Sequence, residues 1–177
     1  MKTNMLVGLG VLSLAILSSN AQAAITGLVD VKLNVESGCK VNNSTANPTG
    51  SMNNFGTLNF GNTSTTWSNV LTAQVVASGG GGGDLTVTCD SNVNSFNVSI
   101  DGGLRGNRTL AYSTNNIAYN VYQDAARTSV YTINTPVTIS LGSGNTASVP
   151  IYGSIQVQST AVNPGLYTDT LSVTVSF

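Results

Sequence analysis

Short runs of alternating apolar and polar residues recur along the chain, and they constrain its fold more than any other feature. Apolar side chains at every second position allow a β-strand to bury one face and expose the other. Turn sequences such as Gly102-Gly103 and Asn163-Pro164-Gly165 separate the runs. The runs lie at residues 85–90, 96–101, 137–141, 149–157 and 171–177. The pattern predicts an all-β antiparallel sandwich, with at most one turn of helix near Asp124–Arg127.

The first 23 residues have the composition of a secretory signal. Lys2 precedes a mostly apolar run from Met5 to Ser18, and Ala21 and Ala23 provide the small residues that a signal peptidase requires. The apolar run is too short for a convincing membrane span. We therefore predict export, cleavage after Ala23, an N-terminal extension at residues 24–36 and a single domain at residues 37–177.

Charged residues are sparse, at 7% of the chain. Lysine and arginine total 6 and the acidic residues total 7, so no basic patch is available for a nucleic-acid partner. A weakly charged surface protects a free monomer poorly against association. It is more natural in a chain that packs against copies of itself.

The chain has two cysteines, Cys39 and Cys89, and no histidine. In an exported protein this favours one disulfide. The alternative, a metal site, lacks ligands, since two thiols alone cannot hold zinc. Without histidine the commonest general base is also missing, and no carboxylate pair stands out. We predict no metal, no cofactor and no enzymatic activity.

Two one-sided strands stand near the ends of the predicted exported chain. In the first, the odd positions are apolar or glycine and the even positions are polar except for Leu28. Its odd residues are Ile25, Gly27, Val29, Val31, Leu33 and Val35. In the second, whose edge no later segment of the sequence covers, the apolar residues are Leu171, Val173, Val175 and Phe177. An uncovered apolar edge is a template for pairing. Pairing between molecules would satisfy both strands, but alternation cannot say which molecule a strand joins, and a sandwich closed within one chain remains an alternative.

Several stretches occur in an order typical of one family. They are Val29–Asn34 with Gly38-Cys39, Phe55–Gly61, Thr86–Asp90, Asp101–Gly103, Ala118–Tyr122, Asp124–Thr128, Val149–Gly153 and Gly165–Val175. With these stretches the chain resembles the spore coat protein U family, and within it the major subunits of archaic, Csu-type chaperone–usher pili. The resemblance implies an incomplete immunoglobulin-like sandwich that lacks its last strand. A donor strand from a neighbouring subunit would complete it, which is a form of β-strand addition.

The resemblance also implies partners and residue roles. Ile25, Val29, Val31, Leu33 and Val35 would enter the neighbour's groove, and Gly27 would lie where the groove is shallow or the register is checked. The groove would be bordered by the strand that carries Leu171, Val173, Val175 and Phe177. A periplasmic chaperone, an outer-membrane usher, a tip adhesin and identical subunits in a head-to-tail polymer would be the partners. The product would be a cell-surface pilus that serves adhesion and biofilm formation.

A secreted coat or carbohydrate-binding module, with the extension folded back into its own sandwich, is the alternative function. Aromatic residues bear on it, because exposed rings can form a sugar-binding platform. We expect most of these rings to be core or interface residues instead. They are Trp67, Tyr112, Tyr119, Tyr122, Tyr131, Tyr152 and Tyr167.

Overall fold

The computed structural model describes residues 25–45, 53–79 and 84–177. The predicted signal at residues 1–23 lies outside the described residues, as do Gly80–Gly83 of the glycine run. The chain forms two units, one ending at Asn34 and the other running from Val35 to Phe177. Within the described ranges there is no helix, and so none that is long and apolar enough to cross a membrane.

The described part of the second unit contains twelve short strands, and all of their pairings are antiparallel. The strands are β1 (Cys39–Asn42), β2 (Gly56–Leu58), β3 (Leu71–Ala77), β4 (Thr86–Cys89), β5 (Ser95–Ile100), β6 (Thr109–Tyr112), β7 (Asn115–Ala118), β8 (Asn120–Tyr122), β9 (Val137–Ser140), β10 (Thr146–Ser148), β11 (Tyr152–Ile155) and β12 (Val173–Ser176). They form sheets in the orders β1-β4-β10, β2-β3-β11-β8 and β12-β5-β9, with a β6-β7 hairpin. The all-β prediction is confirmed.

The three larger sheets share one hydrophobic core. Strand β5 shows why, since Phe96, Val98 and Ile100 are buried while the residues between them are only half-buried. Fully burying a side chain of this kind stabilises the fold by about 1.5–3 kcal/mol. The other buried core residues are Leu85, Val87, Cys89, Tyr119, Val121, Tyr131, Val149, Ile151 and Ile155. The alternation in β4 and β5 thus predicted both strands and their buried faces correctly.

The run at residues 149–157 is not one alternating strand, and that prediction was wrong. The chain leaves β10, which pairs with β4, and enters β11, which pairs with β3 and β8. Pro150 lies at this change of sheet, where its missing N–H removes one ladder hydrogen bond. Ser154, on the supposed solvent face, is 3% exposed, and its hydroxyl donates to Tyr122 Oη at 3.2 Å.

Asp124–Arg127 forms a turn and not a helix. The Arg127 N–H donates to the Asp124 carbonyl at 3.0 Å, and Arg127 has a φ of 59°. The Asp124 carboxylate then accepts the N–H groups of Thr128 and Ser129, at 3.1 and 2.7 Å. A side chain that binds nearby backbone N–H groups favours such turns over helix interiors. These hydrogen bonds also lower the pKa of Asp124.

The predicted disulfide between Cys39 and Cys89 is confirmed. The two residues are direct partners in the β1–β4 pairing, so strand pairing brings the thiols together. At a sequence separation of 50, the bond restricts the unfolded chain by roughly 4 kcal/mol in the loop-entropy account.

Candidate functional site

The extension carries its apolar side chains in solvent. Ile25, Val29, Val31 and Leu33 are 98, 86, 91 and 86% exposed, and Val35, which begins the second unit, is 81% exposed. No residue from 25 to 36 has a strand assignment. Monomeric soluble proteins rarely expose contiguous apolar surface on this scale. Residues 25–35 therefore have the alternating sequence of a β-strand but no backbone pairing with another strand in the described structure.

Strand β12 forms one edge of the β12-β5-β9 sheet. Val173 is paired with Ile100 and Val175 with Val98, so β5 covers one edge of β12. The described residues place no strand at its other edge, which we call the open edge. An edge of this kind presents backbone donors and acceptors that can accept a further strand.

The apolar face of β12 and its flanks is only partly covered. Leu171, Val173 and Val175 are half-buried and pack against the core, whereas Phe177 is 62% exposed. Alternation therefore predicted the inward face of this strand, and the structure places all four predicted edge residues on one segment.

A polar cluster beside β12 was missed by the sequence interpretation. Its acidic members are Asp101, at the end of β5, and Asp169, whose side chain is 2% exposed. Tyr119 donates its hydroxyl hydrogen to Asp169 Oδ2 at 2.7 Å. Burial and this hydrogen bond raise the pKa of Tyr119. The only sequence signal was the presence of Asp101 and Asp169 in family-typical stretches.

Arg108 is the buried cation of this region, at 2% exposure. Its guanidinium donates to the backbone carbonyls of Ile100, Asp101 and Tyr131. Burial lowers the pKa of Arg108. Because carbonyl groups satisfy its donors, the side chain fixes the loop after β5 and does not point a charge at a ligand.

Of the seven aromatic residues considered in the sequence, Tyr119, Tyr122 and Tyr131 are buried in the core, and Tyr112 is 41% exposed. Burial raises the pKa of Tyr131 to about 12. Trp67 and Tyr167 instead line a pocket of about 300 Å³ that has no charged residue in its walls. The Trp67 indole N–H is bound by the Gln156 carbonyl at 2.8 Å. The indole donor is therefore already satisfied within the domain.

No group of three histidine, cysteine, aspartate or glutamate residues that could hold a metal occurs within residues 25–45, 53–79 and 84–177. The cysteines form the disulfide. The cluster around Asp169 and Arg108 is bound to backbone groups and to Tyr119. It has the hydrogen-bonding pattern of a structural network.

A family model called the Spore Coat Protein U domain matches residues 25–174. The chain belongs to this family. Membership of this family points to a structural, non-enzymatic protein, in agreement with the predicted lack of enzymatic activity. No curated protein matches the sequence.

Among solved structures, this chain is similar to one in the CsuC–CsuE chaperone–tip adhesion subunit pre-assembly complex. That complex comes from archaic chaperone-usher Csu pili of Acinetobacter baumannii. The sequences are 17% identical and the TM-score is 0.45. The match covers 81% of this chain and 40% of that chain.

Proposed function

We propose that this chain is a subunit of a bacterial surface pilus, and that it polymerises by donating residues 25–35 to the open edge of β12 in a neighbouring copy. One observation carries the proposal. The same molecule has an apolar strand-like segment, whose residues Ile25, Val29, Val31, Leu33 and Val35 are 81–98% exposed, and an edge strand that lacks a partner on one side within the described residues. The two features are complementary in the sense of β-strand addition.

The energetics favour a donor role for Ile25, Val29, Val31, Leu33 and Val35. Full burial of each side chain is worth about 1.5–3 kcal/mol, so five give roughly 7–15 kcal/mol before the cost of ordering the segment. Ladder hydrogen bonds add to this. In the donated strand Asp30 and Lys32 would lie on the opposite, solvent face, because successive side chains alternate.

The two surfaces of such an interface differ, since one is the extension and the other is the edge of the domain. A head-to-tail contact of this kind propagates as an open filament when its rotation does not close. An exported subunit with an unfilled edge needs protection before assembly. We therefore assign it a periplasmic chaperone, an outer-membrane usher and a tip adhesin as partners, with adhesion and biofilm formation as the role of the pilus.

The coat or carbohydrate-binding alternative requires the extension to complete its own domain. Exposure of every apolar donor side chain is more easily reconciled with a partner outside the molecule.

A peptide supplied in trans tests strand donation. A chain lacking residues 24–36 is refolded with a peptide of residues 25–36, and thermal unfolding is followed by circular dichroism. We expect the peptide to raise the melting temperature and to bind stoichiometrically. A peptide with Val29, Val31 and Leu33 changed to aspartate should have no effect, whereas one with only Lys32→Asp should retain the effect. A truncated domain that is stable and indifferent to the peptide would overturn the proposal.

A further inference from the structure

The segment that leads into β12 is held by the loop that follows β5. Asp101 Oδ1 accepts the N–H groups of Gly103 and Ser172, both at 2.9 Å. The Asp101 N–H donates to the Ser172 carbonyl at 3.1 Å. One aspartate thus binds both backbone groups of the residue immediately before β12.

Asp169 makes a second attachment three residues earlier. Its Oδ1 accepts the Leu104 N–H at 2.9 Å and lies 3.5 Å from Arg105 Nη1, while its Oδ2 accepts the Tyr119 hydroxyl at 2.7 Å. Gly103 permits this approach. It has a φ of 74°, and a Cβ there would lie 2.1 Å from Asp169 Oδ2. The loop is therefore shaped around the carboxylate.

Thr168 makes a third attachment. Its N–H and carbonyl pair with those of Ala111, at 3.1 and 3.0 Å. Arg105 Nη1 also donates to the Thr109 carbonyl at 3.0 Å. Residues 168–172 are consequently fixed at three points, and β12 begins at the next residue.

Strand β12 itself is a short edge strand. It is four residues long and is paired with β5 alone among the described residues. Its inward residues Val173 and Val175 are only half-buried. A short edge strand of this kind opens readily unless something fixes it.

We propose that Asp101, Asp169 and Tyr119 are positioning residues that fix the register of β12, so that its open edge is preformed before another strand arrives. The inference rests on the proposed function, because a preformed edge lowers the ordering cost of strand addition. It assigns to this cluster a part in assembly that is distinct from general stability of the core.

Hydrogen exchange of the mature chain, followed by mass spectrometry, tests the proposal through two variants and a control. Asp169→Ala removes all three contacts of the carboxylate. Tyr119→Phe removes one hydroxyl and should fold even if the alanine variant does not. Asp124→Ala is the matched control, because that carboxylate also accepts two backbone N–H groups but lies in the 124–129 turn.

We expect Asp169→Ala to accelerate exchange in residues 172–177 roughly 10- to 150-fold, the equivalent of one lost hydrogen bond to a charged group. Tyr119→Phe should accelerate it by about fivefold or more. Exchange in β8 and β11 should stay as in the unmodified chain, and the control should leave residues 172–177 unchanged. The rate of polymer assembly should fall most in Asp169→Ala and less in Tyr119→Phe, the order in which the two variants lose exchange protection in residues 172–177.

Equal acceleration in β12, β8 and β11 would overturn the proposal, since it would mean that the cluster stabilises the domain uniformly. Unchanged exchange in residues 172–177 of both variants would overturn it as well. Failure of strand donation has a different signature, namely an unmodified chain that never polymerises. Strand donation would itself protect β12, so exchange is compared on the monomeric fraction of each chain, where it does not depend on polymer and separates the two failures.

Discussion

The extension and the β12 segment have the same sequence pattern and different structures. Residues 25–35 and 171–177 both alternate apolar and polar side chains. The second region pairs with β5 and half-buries Leu171, Val173 and Val175. The first has no strand assignment, and its apolar side chains are exposed. Alternation reports the capacity to form a strand, whereas pairing depends on an edge being available.

The difference has a direct consequence for mutation. Apolar residues of β12 contribute to folding of the domain that contains them. If the extension acts in a neighbouring copy, its apolar residues contribute to assembly instead. Substitutions matched in chemistry but placed in the two regions should therefore separate folding from assembly.

Val31→Asp should have the largest effect, because a donor residue at this position would place an unpaired carboxylate in an apolar groove. Burying such a charge costs several kcal/mol or forces its protonation. We expect the mature chain to lose its polymer in size-exclusion chromatography. Lys32→Asp introduces the same side chain one position along, on the solvent face, and should polymerise normally. Equal loss in both variants would break the comparison.

Removing the disulfide should destabilise the domain but act on the extension only indirectly. The variant with both Cys39→Ala and Cys89→Ala should lose roughly 4 kcal/mol of unfolding free energy, as the loop-entropy account gives. Urea unfolding with and without reductant checks this. A change below about 1 kcal/mol would show that β1 is held to β4 by pairing alone.

Val173→Ala and Val31→Ala form the most direct pair across the two regions. Val173 is half-buried and packs against the core, so its truncation should cost about 1 kcal/mol of domain stability. Val31 is 91% exposed within its own chain. Its truncation should leave the urea midpoint of the free monomer unchanged and weaken the polymer. A shift of the monomer's midpoint by Val31→Ala would contradict the assignment.

Alkaline pH should destabilise the domain through its buried tyrosines. The extension contains no tyrosine, so it should not contribute to this effect. The pKa of Tyr131 is raised to about 12 by burial, against about 10 for an unfolded chain. Its contribution is complete below about pH 10 and is lost as the pH rises towards about 12, because the unfolded chain gives up its proton first. Urea midpoints should fall across this window. Tyr131→Phe should reduce the fall only in part, because burial and the hydrogen bond to Asp169 also raise the pKa of Tyr119.

Much of the domain was predictable because its signals are local. Val87 and Val98 lie in strands where alternation matches burial residue by residue. The disulfide followed from two cysteines in an exported chain without histidine. The burial of Ser154 was not predictable, because its environment comes from β3 and β8 on both sides of β11. Period two does not reveal that a strand will be central.

The cluster of Asp101, Asp169 and Tyr119 beside β12 shows most clearly what the sequence alone could not predict. Asp101 and Ser172 are 71 residues apart in sequence, and pairing between β5 and β12 brings them together. Nothing local distinguishes Asp169 from a solvated carboxylate. Likewise, alternation in the extension does not reveal which strand edge it pairs with, or in which molecule.

Size-exclusion chromatography of the mature chain, with and without residues 24–36, tests the central claim most directly. Both forms are exported and purified in parallel, and the eluted species are heated before electrophoresis. The account predicts heat-resistant polymers for the complete chain, and a truncated chain that is lost or unstable. Stable monomers from both forms would contradict it, since residues 24–36 would then be dispensable for both folding and assembly.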